Sequence, residues 1–213
     1  MGRELPRPPR AVLFDLDGVL VDSFDAWVAV LDDCRRRRGM PPLGPEAVRR
    51  TWGQGIGVDV RTFFPGADPA ALAREYDAGF ARHLARVKAL PGAVAAVRGL
   101  RAARIDTALV TNSPVALARR VLDEIGLAAE FPVVAGGDEV ERGKPDPALV
   151  ALALARLGLG DAGRARAVLV GDTALDVEAG QAAGIAVIGY RVPADAEIAD
   201  LAQLLSLLGV SPG

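Results

Sequence analysis

Asp15 and Asp17 stand two residues apart where the apolar run Ala11-Val12-Leu13-Phe14 ends. In an extended strand that spacing turns both carboxylates the same way, and Gly18 lets the chain leave the strand in a conformation that a side chain would resist. Later in the chain, apolar runs deliver Thr111-Asn112-Ser113 and Gly171-Asp172-Thr173, with Asp176 close behind. Lys144 precedes Pro145-Asp146-Pro147 and is one of only two lysines, with Lys88, in a chain that otherwise uses arginine. Carboxylates crowded together raise one another's pKa values unless a cation sits among them. An all-oxygen acidic set without His or Cys ligands suits a hard cation, Mg²⁺. Thr111 and the backbone at Asn112, ahead of a helix, offer donors suited to phosphate oxygens. Lys144 can supply a point charge.

These residues need a scaffold that gathers them. From residue 93 onward the chain alternates helices with strands near 105–110, 131–135, 167–170 and 185–188. That alternation predicts a parallel sheet covered by helices on both sides. The strand at 11–14 has no neighbour nearby in sequence and must join the same sheet. Parallel strands present their carboxyl ends along one edge, where open α/β sheets bind ligands. That edge would collect Asp15, Asp17, Thr111, Asn112, Asp172 and Asp176.

Between the first strand and the rest, the pattern is helical. Ser23 is placed to cap a helix with apolar positions Phe24, Trp27, Val28 and Leu31, ending at Arg35-Arg36-Arg37-Arg38-Gly39. Asp68 and Pro69 open a longer helix whose stripe is Leu72, Tyr76, Phe80 and Leu84. No strand is expected between 21 and 88. The expected organisation is a core of 11–20 and 89–213, a helical cap of 21–88, and a flexible tail of 1–10.

Composition narrows the class. Of the 213 residues 51% are hydrophobic and 24% charged, and the net charge is -2, which leaves no electrostatic footprint for nucleic acid. No run approaches the ~18 apolar residues of a membrane span. The Pro/Arg-rich start lacks a signal-peptide core. Cys34 is the only cysteine, so an internal disulfide and a cysteine-rich metal site are excluded. The cytoplasm is the expected location, with a monomer or homodimer as the expected state. His83, the sole histidine, is expected to have an ordinary structural or surface role, and Ser113 to cap a helix. Asp22 either orders the loop or is solvated, and Asp138 and Arg142 are expected to lie outside the site.

The stretches Asp15-Leu16-Asp17-Gly18-Val19-Leu20, Thr111-Asn112-Ser113, Lys144-Pro145-Asp146-Pro147 and Gly171-Asp172-Thr173-Ala174-Leu175-Asp176 come in order. Together they resemble the four motifs of the haloacid dehalogenase-like superfamily, in its phosphatase branch with a helical cap after the first strand. The resemblance implies a Rossmann-like α/β core and Mg²⁺-dependent hydrolysis of a small phosphorylated metabolite. It implies that Asp15 attacks phosphorus, forming an aspartyl phosphate, and that Asp17 is the acid and base. Mg²⁺ would be held by Asp15, Asp17 (through its carbonyl) and Asp172, with Asp176 as an outer support. Thr111, Asn112 and Lys144 would hold the phosphoryl oxygens.

Gly136-Gly137-Asp138 and Thr51-Trp52-Gly53 further resemble phosphoglycolate phosphatases. The expected substrate is therefore 2-phosphoglycolate, with backbone N–H groups of Gly53-Gln54-Gly55-Ile56-Gly57 binding an anion and Arg49 and Arg50 adding charge. Two alternatives are a sugar phosphomutase and a non-catalytic phospho-ligand binding protein. Phosphomutases of this kind place a histidine soon after the first motif, and Ser23-Phe24-Asp25-Ala26-Trp27-Val28 has none. Intact Asp15, Asp17, Thr111, Lys144 and Asp172 argue against a mere binder.

Overall fold

The computed structural model describes residues 3–210. In chain order the elements begin with β1 (Ala11–Phe14), β2 (Val21–Asp22) and the helices α1 (Phe24–Arg37), α2 (Pro45–Arg49), α3 (Ile56–Thr62) and α4 (Pro69–His83). There follow β3 (Lys88–Ala89), α5 (Ala93–Ala102), β4 (Asp106–Thr111), α6 (Val115–Glu124) and β5 (Val133–Gly136). The chain continues through α7 (Ala148–Arg156), α8 (Asp161–Arg164), β6 (Ala167–Gly171) and α9 (Ala174–Ala182). It closes with β7 (Ala186–Tyr190), β8 (Ala196–Ile198) and α10 (Leu204–Leu207).

Strand β1 is buried at every position. Val12 and Phe14 enter the apolar cluster on one face of the sheet, and Ala11 and Leu13 the cluster on the other, because successive side chains of a strand point to opposite faces. The first cluster takes in Val97 and Leu100 of α5 and Leu117 and Val121 of α6. The second takes in Leu149 and Ala153 of α7 and Ala179 of α9. A sheet buried on both faces by helices is the expected Rossmann-like α/β architecture.

The sheet has six parallel strands in the order β5-β4-β1-β6-β7-β8. Phe14 lies opposite Leu109 on one side and Val170 on the other, so the carboxyl ends of β4, β1 and β6 are level. From β1 the chain moves outward through β4 and β5, then returns to the far side of β1 as β6. This reversal is the place where such sheets leave a crevice for ligand. Strand β8 was not expected, because three residues are too few to show a period of two.

Between β2 and β3 the chain is helical. Trp27 of α1 packs against Tyr76 and Phe80 of α4, with ring centroids 5.5 and 5.0 Å apart. Asp68 caps α4, accepting from Ala70 N and Ala71 N, with Pro69 in the first turn. The expectation of no strand in 21–88 needs correcting at the ends. Val21 pairs with Ala89 and Asp22 with Lys88, antiparallel, and this two-stranded clasp brings the entry and exit of the helical segment together. Residues 3–10 also differ from the loose tail expected. Leu5 is 9% exposed, Arg3 N donates to Asp195 Oδ1 at 2.8 Å, and Arg166 Nη2 donates to the Pro8 carbonyl at 3.1 Å. Residues 1 and 2 lie outside the described residues.

Candidate active site

Asp15 follows β1 directly, and its N–H donates to the Val170 carbonyl at 3.0 Å. The loop then closes on itself, with Gly18 N donating to the Val21 carbonyl at 2.8 Å and Leu20 N to the Leu16 carbonyl at 2.9 Å. Gly18 has φ +86°, and a Cβ there would fall 2.0 Å from Asp172 Oδ2. The glycine therefore serves both the turn and the approach of Asp172 from the end of β6.

Lys144 comes from the loop between β5 and α7 and is 5% exposed. Its Nζ lies 2.7 Å from Asp15 Oδ1 and 2.6 Å from Asp176 Oδ1, and donates to the Val110 carbonyl at 3.0 Å. Carboxylate oxygens of Asp15, Asp172 and Asp176 lie within 4.8 Å of one another. Burial raises the Asp15 carboxyl well above its ordinary value; Lys144 opposes the rise, and Asp176 and Asp172 add to it. Burial, and then the Asp176 charge, push Asp172 up to about 7. Burial alone would lower Lys144, but the charges of Asp15 and Asp176 hold it protonated.

Three carboxylates around one ammonium leave a surplus of two negative charges when all are ionised. Asp172 Oδ1 is buried without a hydrogen-bond partner, which costs free energy unless something meets it. A surplus of that size, an orphaned oxygen and an all-oxygen donor set fit a divalent hard cation. Asp176 belongs to the group, but its oxygens are occupied. Oδ1 is on Lys144, and Oδ2 accepts from Thr173 N at 3.1 Å and Thr173 Oγ1 at 2.6 Å. This reciprocal cap at the start of α9 holds Asp176 in place.

The Asp17 carboxylate is not part of that group. Its Oδ1 accepts from Ser23 Oγ, and from Trp27 Nε1 at 3.3 Å, and its Oδ2 accepts from Ser113 Oγ at 3.1 Å. Burial raises its pKa against the pull of these donors. Two expectations change here. Ser23 makes no side-chain cap to α1, and Ser113 spends its hydroxyl on Asp17 rather than on a helix end. Sequence spacing hides both, since Ser113 is far from Asp17 along the chain and Ser23 looks like an ordinary N-cap.

Asp15, Asp17, Thr111, Asn112 and Lys144 all line one cavity of about 840 Å³, whereas Asp172 and Asp176 are not among its lining residues. Thr111 Oγ1 accepts from Ser113 N at 3.1 Å. The Asn112 side chain is a bridge: Nδ2 donates to the Gly53 carbonyl at 2.7 Å and the Lys144 carbonyl at 3.1 Å, while Oδ1 accepts from Lys144 N at 2.8 Å. Gly53 through Gly57 line the cavity, but Arg49 and Arg50 do not. Arg49 instead stacks over Phe24, 4.0 Å from the ring centroid. Asp138 and Arg142, expected outside, are on the wall. His83 is structural, as expected, bonded to Asp33 at 2.9 Å.

Residues 12–190 match the profile of the haloacid dehalogenase-like hydrolases. The chain belongs to this family. It is 36% identical over 189 residues to phosphoglycolate phosphatase 1 of Pseudomonas aeruginosa, covering 84% of this chain and 68% of that protein. It is 35% identical over 218 residues to the phosphoglycolate phosphatase of Pseudomonas putida, covering 92% of this chain and 79% of that one. The fold matches CbbY of Rhodobacter sphaeroides, a variant crystallised with xylulose-(1,5)bisphosphate, at TM-score 0.82 and 21% identity, covering 94% and 99% of the two chains. As a haloacid dehalogenase-like hydrolase, the chain is an enzyme whose motifs meet at the carboxyl ends of β1, β4 and β6. Among the described residues no helix is long and apolar enough to cross a membrane.

Proposed function

We propose that this hydrolase cleaves a small phosphate monoester in two steps through a phosphorylated Asp15, with Mg²⁺ as cofactor. The observation that carries the reading is the close group of Asp15, Asp172 and Asp176, two of them paired with the buried Lys144 Nζ, beside a cavity wall that includes Asp15 itself. In the first step an Asp15 oxygen bonds to phosphorus while the ester P–O bond breaks. Asp17 gives its proton to the departing alkoxide, releasing an alcohol. In the second step a water oxygen bonds to phosphorus and its proton passes to Asp17. The bond from phosphorus to Asp15 breaks, and inorganic phosphate leaves.

Asp15, Asp172 and the backbone at Asp17 would hold the cation, which when bound offsets negative charge on the carboxylates and the phosphoryl group. Lys144 and the Thr111 hydroxyl would hold phosphoryl oxygens, and Asn112 would contribute through its backbone, since its side chain is engaged. We take the helical segment between β2 and β3 as a cap that shields the reacting centre from water. Charged phosphorylated metabolites are retained in the cytoplasm, and that is where we place the enzyme.

The test is Mg²⁺-dependent release of phosphate from an aryl phosphate, with 2-phosphoglycolate, the compound in the relatives' names, as the reference natural ester. Asp15→Asn should abolish turnover with the fold intact. Mg²⁺ should raise the Tm of wild type and leave that of Asp172→Asn unchanged. Steady-state turnover by pure Asp15→Asn would overturn the covalent route. An equal Tm response in Asp172→Asn would remove Asp172 from the cation.

A further inference from the structure

The cavity continues from Asp15 into the helical segment, where Trp27, Leu31, Val48, Ile56 and Tyr76 form its wall. Its volume of about 840 Å³ falls within the ~300–1,000 Å³ of sites that enclose a drug-sized ligand. A two-carbon acid would leave most of it unfilled.

The charges on the wall point the same way. The helical segment offers one cation, Arg61, and the loop before Lys144 offers Arg142, which already pairs with Asp146 at 3.4 Å. Against these two guanidinium groups stand Asp59, Asp138, Glu141, Asp146 and Glu178. Away from Lys144, therefore, the side chains of the described wall residues supply no surplus of positive charge for a second anion. Amid the apolar side chains Asp59 takes the Tyr76 hydroxyl on Oδ2 at 2.9 Å. A carboxylate has two acceptor oxygens, so Asp59 keeps the capacity to accept a donor from a ligand. Burial pushes it up to about 6, so at neutral pH it is largely a carboxylate in poorly hydrated surroundings, where repulsion of a second carboxylate is least screened.

We propose that the leaving group this enzyme accepts is an uncharged, largely apolar alcohol, and that Asp59 is the specificity-determining residue that turns away carboxylate-bearing leaving groups, glycolate included. This rests on the phosphatase reading above and refines its substrate. A polar N–H or O–H on the alcohol would find its acceptor in Asp59.

The experiment compares kcat/KM for benzyl phosphate, 4-carbamoylbenzyl phosphate, 4-carboxybenzyl phosphate and 2-phosphoglycolate at neutral pH with Mg²⁺. The carbamoyl and carboxy esters match in size and differ in charge. Wild type should prefer the carbamoyl ester over the carboxy ester at least tenfold, and benzyl phosphate should exceed 2-phosphoglycolate. In Asp59→Asn, which keeps an acceptor for Tyr76, the carbamoyl preference should fall below about threefold, chiefly through KM for the carboxy ester. Equal use of the matched pair by wild type, an unchanged ratio in Asp59→Asn, or 2-phosphoglycolate ahead of benzyl phosphate would overturn the proposal while leaving the phosphatase reading intact. Because the wild-type comparison needs no variant, poor folding of Asp59→Asn would not shield the idea. Failure to hydrolyse any of the four esters would overturn the phosphatase reading and this proposal together.

Discussion

At the scale of single residues the site depends on one ammonium among carboxylates. Lys144 Nζ touches two aspartates and a carbonyl at hydrogen-bond distance from a buried position. A guanidinium carries the same charge, but it is planar and wider, and it cannot occupy the same point. Lys144→Arg should therefore lower kcat by about a hundredfold or more in a protein that still folds, and near wild-type kinetics would make Lys144 peripheral. Asp17 is a different case, because donors from Ser23, Trp27 and Ser113 hold its carboxylate in place. Asp17→Asn should cost less with an acidic phenol as leaving group than with an alkyl alcohol, since the phenolate needs no proton. Equal losses on the two ester types would remove Asp17 from the first step.

At the scale of elements the decisive contact is Asn112, which leaves the end of β4 and joins two loops. One is the Gly53 turn ahead of α3 and the other is the backbone of Lys144. Close packing enforces the arrangement on the Lys144 side, where a Cβ at Gly143 would come within 2.2 Å of Asn112 Oδ1. With a net worth of about 1 kcal/mol for each of the three hydrogen bonds, Asn112→Ala should destabilise the protein by about 3 kcal/mol in urea titrations. Asn112→Asp should fare no better, because it keeps an acceptor for Lys144 N but sets oxygen against two carbonyls. Amide exchange at Gly53–Gly55 should quicken in both variants. Unchanged exchange there would mean that the turn is held by other contacts.

For the whole molecule, the helical segment and the sheet share one continuous apolar cluster, from Phe14 and Leu109 through Val30, Tyr76 and Phe80. A buried titratable group in that segment should therefore register in global stability. The Asp59 pKa rises from 3.8 to about 6 in the folded chain. Folded protein then holds the proton more tightly than unfolded protein, so the associated stability is complete below about pH 4 and is lost as pH rises through about 6. The loss is at most about 3 kcal/mol. Asp59→Asn should abolish this part of the slope, matching wild type near pH 4 and exceeding it at pH 7. Parallel pH profiles for the two proteins would show that Asp59 ionises freely.

Much of this was legible along the chain. Apolar strands of four to six residues each ended in the residues that meet at the site, and these continuous apolar runs with strand–helix alternation implied the parallel sheet. Asp15, Thr111, Lys144, Asp172 and Asp176 could be named because each follows a local pattern. Tertiary structure alone decided what those residues touch. That Ser23 and Ser113 serve Asp17, that Asn112 spends its side chain on Gly53 and Lys144, and that Arg49 lies on Phe24 all depend on side-chain direction across distant segments. The placement of Asp59 beside Tyr76 in the cavity wall likewise follows from how α3 and α4 pack. A hydrophobic period tells which face of an element is buried, and it is silent on which polar group of another element that face will meet.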